Sequence, residues 1–93
     1  MEFDEVKPEH FGTISRNPFP HVLIDRALMQ IAGGGTAASD FHKRVIAAAG
    51  WKHHNLVPFG KHPQEAAQVY NKIRAVLAHC SEDAEAILKA LGA

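Results

Sequence analysis

Residues 63–91 read PQEAAQVYNKIRAVLAHCSEDAEAILKAL. Within this run Ala66, Tyr70, Ile73, Leu77 and Cys80 recur at alternating spacings of four and three, which places them on one face of an α-helix opened by Pro63. The phase continues through Ala84, Ile87 and Leu91, but Ser81 followed by Glu82 and Asp83 is a cap for a new helix, so a break is predicted near Cys80. The flanking Ala67, Val69, Val76, Leu88 and Ala90 make the apolar seam too broad for a two-stranded coiled coil. Such a seam suits a helix wedged into a bundle, or one whose spare apolar surface meets a partner, including a second copy of the chain through residues 66–91.

Upstream, Pro20 fits a first helical turn, and Val22, Leu23, Ile24, Ala27, Leu28, Met29, Ile31 and Ala32 then surround most of a helix that Gly33, Gly34 and Gly35 stop. This breadth reads as the central helix of the bundle. Next, Thr36 or Ser39 serves as the cap of a second helix that buries Phe41, Val45, Ile46 and Ala49 and ends at Gly50. Residues 51–62, with Pro58 and Gly60 and no clean period, read as a loop containing one helical turn. Residues 1–20 have no apolar period, yet Phe3, Phe11, Ile14 and Phe19 are too many large apolar groups for a solvated tail. They predict an extended arm, with a short strand at 13–15, laid over the helical core. The fold class is therefore all-α: a compact three- to four-helix bundle at 21–93 with an extended N-terminal arm at 1–20.

Of the 93 residues, 46% are apolar and 22% charged, with ten cations against ten acids, a balance that fits neither a disordered chain nor a histone-like polycation. A chain this short buries about 60 to 65% of the surface it exposes unfolded, which leaves little room for a deep catalytic cavity. The acidic start, with Glu2, Asp4 and Glu5, differs from the basic start of a secretory signal, and no apolar run reaches the roughly 18 residues of a membrane span. One cysteine, Cys80, cannot form an internal disulfide. A cytoplasmic protein without membrane attachment is expected.

The zero net charge conceals a segregation. Residues 10–80 hold eight cations against Asp25, Asp40 and Glu65, while both ends are acidic. Residues 41–64 contain no acid, and there Lys43, Arg44, Lys52 and Lys61 alternate with His42, His53, His54 and His62. An anionic partner would be met here.

The chemistry-bearing residue types form no catalytic pattern. The seven histidines show neither an H-E-x-x-H pair nor paired cysteines, so they read as solvated groups on a basic face, and no metal or cofactor is expected. Consecutive His79 and Cys80 point about 100° apart on a helix and do not face each other, while the thiol falls on the apolar seam. Asp25, Asp40 and Glu65 read as isolated acids. Residues 33–36, Gly-Gly-Gly-Thr, lack the lysine of a phosphate loop and read as a connector. A helix-turn-helix pivoting on Gly50 would set Pro58 inside its recognition helix, where proline removes a backbone bond.

What remains is a non-enzymatic, protein-binding module: an accessory subunit, adaptor or inhibitor docking on a larger protein or complex with an acidic surface. Trp51 and Phe59 are expected to be its exposed apolar anchors, and Lys43, Arg44, Lys52, His53, His54 and Lys61 its electrostatic complement. The alternative is nucleic-acid binding through the basic, histidine-rich segment 41–62, whose rings would stack bases and whose cations would meet phosphates.

Overall fold

A computed structural model of the chain describes residues 2–12, 19–80 and 83–92. Pro20 opens α1 (Pro20–Ala32), its fixed φ suiting a position that has no intrahelical N–H to offer. At the other end Gly33, Gly34 and Gly35 all have positive φ, at 87°, 83° and 67°. The Gly33 and Gly34 N–H groups close onto the Gln30 and Met29 carbonyls, and the chain reverses at once into α2 (Gly35–Ala48). Because the reversal takes only these glycines, α2 starts at Gly35 with Gly34 as its cap residue and no side-chain cap. The expected capping by Thr36 or Ser39 is thus corrected; both lie inside the helix.

The chain then forms a loop carrying a 3-10 turn at Phe59–Lys61, as the sequence predicts, and enters α3 (Pro63–His79). Cys80 has extended backbone, so the long apolar register breaks there, and α4 (Ala84–Ala90) begins after Asp83, whose carboxylate accepts from the Glu85 N–H at 3.0 Å. Asp83 is therefore the observed cap; Ser81 lies outside the described residues. Four α-helices and no strand are found among the described residues, an all-α fold. None of those helices is long and apolar enough to cross a membrane.

The centre of the bundle is α3 rather than α1. Ala66, Ala67, Val69, Tyr70, Ile73 and Leu77 are buried, and α3 touches all three other helices and both 3-10 turns. On α1 only Ile24, Ala27 and Leu28 are buried, while Leu23 and Met29 stand 41% and 51% exposed. The same placement accounts for the broad seam. Its large side chains are covered within the chain: Ile87 and Leu88 are buried and Val76 and Leu91 are half-buried against the core. Among the described residues of 66–91 no large apolar side chain is exposed, because the arm, α1, α2 and α4 pack around α3.

Residues 2–12 of the arm cover part of the core and include a 3-10 turn at Pro8–Phe11. Val6 is 1% exposed, and Phe3 and Phe11 pack partly buried against the cluster. Asn71 of α3 grips the arm with both ends of its amide: Oδ1 accepts the Val6 N–H and Nδ2 donates to the Val6 carbonyl, each at 2.8 Å. Arg74 Nε donates to the same Oδ1 at 2.9 Å and fixes the amide's orientation. The strand expected at 13–15 and the packing of Ile14 lie outside the described residues.

Candidate functional site

The 51–62 loop is rooted rather than free. The Trp51 N–H donates to the Ile46 carbonyl at 3.1 Å, which turns the indole back into the bundle, where it is 8% exposed. It meets Phe59 edge-on at 4.8 Å and His53 at 4.9 Å, and Phe59 continues the ring stack to Tyr70 at 5.4 Å and Phe11 at 5.9 Å. Gly60 lies so close to the arm that a Cβ there would sit 2.9 Å from the Phe11 carbonyl oxygen, so arm and loop are packed backbone to backbone. The expectation of an exposed Trp51 is corrected: it belongs to the core, and Phe59 is half-buried beside it.

What the loop does expose is its tip. The His54 carbonyl accepts the Val57 N–H at 2.9 Å and His54 Nδ1 accepts the Leu56 N–H at 3.1 Å, closing a turn that holds Leu56 80% exposed. Lys43, Arg44, Lys52, His54 and Lys61 are exposed. Arg44 has a partner on α4, with Nη1 3.7 Å from Glu85 Oε1, an exposed pair that contributes little to stability but moderates that charge. Between α2 and the loop runs a shallow groove of about 150 Å³ lined in part by Lys43, Trp51, Asn55 and Phe59.

Two constellations form that sequence spacing does not reveal. At the base of the loop His53 Nε2 lies 2.7 Å from Glu65 Oε2, and the His53 ring stacks on His62 with centroids 3.7 Å apart and planes within 5°. Neither these histidines nor Glu65 stands alone, which corrects their reading as solvated histidines and an isolated acid. Loop closure brings His53 back against His62 at the mouth of α3, and Glu65 follows in the first turn.

The second constellation joins three helices. Tyr70 of α3 donates its hydroxyl to Asp25 Oδ1 of α1 at 2.8 Å, and His42 Nε2 of α2 lies 2.8 Å from the same oxygen. Asp25 is thus a shared acceptor rather than an isolated acid. Burial, then the charge of Asp25 and its hydrogen bond, push the Tyr70 hydroxyl far above its ordinary range, so it acts as a fixed donor that orients the carboxylate. A groove of about 350 Å³ opens beside Asp25 and His42.

His21 packs between Phe11 and Tyr70, with ring centroids 4.4 Å and 5.8 Å away, and its Nδ1 is buried with no hydrogen-bond partner among the described residues. Burial lowers its pKa below the ordinary 6.5; Asp25 opposes the shift and His10 adds to it. The unfolded chain therefore takes up a proton at His21 at higher pH than the folded one, and stability falls as pH drops through and below that value. His21→Phe keeps a ring and removes the titration. Urea melts at about pH 7.5 and about pH 5 are expected to show the wild type losing stability relative to this variant on acidification; an unchanged difference would contradict the assignment.

Compared with protein-family profiles, with curated proteins and with solved structures, the chain matches none.

Proposed function

We propose that this chain is a small non-enzymatic docking module, an accessory subunit, adaptor or inhibitor, that binds a larger protein with an acidic surface through the tip of the 51–62 loop. The observation that carries the reading is Leu56, 80% exposed on a turn whose root is fixed by buried Trp51. An apolar side chain held on an ordered turn loses little freedom on binding, and that preorganisation favours an interface anchor. The exposed Lys43, Lys52 and Lys61 of the acid-free stretch 41–64 complement an acidic partner and speed its encounter. His53, His54 and Phe59 line the loop between tip and root. The single Cys80 supports a cytoplasmic home, where a thiol stays reduced.

The same burial weakens the nucleic-acid alternative. Base stacking needs open ring faces, and Trp51 is inside while Phe59 is half covered. Cations with an aliphatic tip suit a protein surface better than a nucleic-acid strand.

The test compares the wild type with Leu56→Asp and with the double variant Lys43→Glu/Lys61→Glu, in extract of the source cells with and without nuclease treatment and, separately, with generic DNA and RNA. Leu56→Asp is expected to leave the melting temperature unchanged and to weaken partner capture about 30-fold or more, as for a hot-spot residue. The charge variant is expected to slow association and flatten its salt dependence. Capture that survives both substitutions, or binding only to generic DNA or RNA with a steep salt dependence, contradicts the proposal.

A further inference from the structure

We infer that His53, His62 and Glu65 form a binding site for one transition-metal dication of the zinc type, clamping the two ends of the 53–62 loop together. Each residue offers one donor atom, and the three donors lie within 4.8 Å of one another. Zinc bonds of about 2.0 to 2.2 Å set tetrahedral donors roughly 3.4 Å apart, so the donors must close by about an ångström, and because the stacked imidazoles point their in-plane lone pairs in parallel, one ring must also turn out of the stack for both to reach a single ion. His53 Nε2 and Glu65 Oε2 already stand together at 2.7 Å, and an ion bound by both would replace their shared proton and part them by about 0.7 Å. Two imidazoles and one carboxylate match zinc, cobalt(II) or nickel(II), whereas calcium and magnesium prefer all-oxygen sets.

Both rings meet buried Trp51 edge-on, with His53 at 4.9 Å and His62 at 6.1 Å. The His62 carbonyl accepts the Ala66 N–H at 2.9 Å, locking that residue as the entry of α3, and Glu65 follows on the first turn. Glu65 is half exposed at 52%, which leaves ions a path from solvent and a fourth coordination position open to water. The site joins residue 53 to the start of α3 and stands independently of what Leu56 docks on.

The experiment titrates the metal-free 93-residue chain with zinc chloride by calorimetry and with cobalt(II) by visible absorption, alongside His62→Ala, Glu65→Gln and the control His79→Ala. The expected result is one ion per chain, an intense four-coordinate cobalt spectrum, and a zinc-dependent rise in melting temperature. Removing a group that merely supports a ligand typically weakens binding about 10- to 100-fold, so loss of a donor in Glu65→Gln or His62→Ala is expected to cost about a hundredfold or more. His79→Ala should bind like the wild type. Far-UV circular dichroism of the metal-free variants checks that they fold, and the exposed Glu65→Gln carries the test if His62→Ala does not. Saturation only at millimolar zinc, or equal affinity in Glu65→Gln and the wild type, would overturn the site.

Discussion

Trp51→Ala is expected to cost about 3 to 5 kcal/mol of folding stability, the usual range for emptying a buried aromatic site. Small domains have about 5 to 15 kcal/mol in total, so the variant should be marginal or unfolded at 37 °C. The cost arises in several places at once. The indole is 8% exposed and supports Phe59 at 4.8 Å and the His53 ring at 4.9 Å. Phe59 in turn packs on Tyr70, the fully buried donor to Asp25, so the cavity lies next to the network that joins α1, α2 and α3. Trp51→Phe retains a ring and should lose markedly less. Chemical denaturation followed by circular dichroism measures both. A Trp51→Ala variant as stable as the wild type would return Trp51 to the surface.

Asn71→Ala is expected to cost about 2 kcal/mol, one typical net hydrogen-bond contribution for each of the two bonds to Val6. The loss has a direction as well as a size. Val6 is 1% exposed, and without the amide its N–H and C=O remain paired only if the arm lifts into water. Arg74 Nε also loses its acceptor, leaving that side chain only the longer 3.4 Å bond from Nη1 to the Phe3 carbonyl among the bonds to the arm. Residues 2–12 should therefore become sensitive to protease and the Val6 amide should exchange quickly, while α2 and α3 keep their protection. Asn71→Asp, which sets a carboxylate oxygen against the Val6 carbonyl, should be at least as damaging. If protection of the Val6 amide survives Asn71→Ala, the arm is held by its apolar contacts instead.

Local signals made the helices legible. Pro20, the glycines from residue 33, Pro63 and the spacing of Ala66, Tyr70, Ile73 and Leu77 act within one or two turns, and those four seam residues are all buried. Which helix is central was harder to read. The apolar breadth of α1 and of residues 63–91 looks alike in sequence, and only the packing of the arm on α3 separates them. Trp51 was misread because a non-periodic loop offers no face by which to tell inside from outside. Leu56 is exposed because the His54–Val57 turn lifts it, a contact that composition does not encode. The Asn71–Val6 clasp spans 65 residues and the Tyr70–Asp25 bond 45, so neither leaves a local pattern. His62 and Glu65 stand three residues apart, one turn of helix, but His53 lies nine residues upstream in a loop without a period, and ring stacking across the closed loop is what brings it to them.

Site-specific photo-crosslinking from position 56 tests the central claim most directly. With a photoreactive residue in place of Leu56, and the same probe at exposed Gln30 as reference, irradiation in source cells followed by mass spectrometry reads what each position touches. The account predicts a discrete protein adduct at position 56, absent at position 30, and diminished when Lys43 and Lys61 are reversed in charge. Equal labelling at the two positions, or adducts to nucleic acid alone, would contradict it.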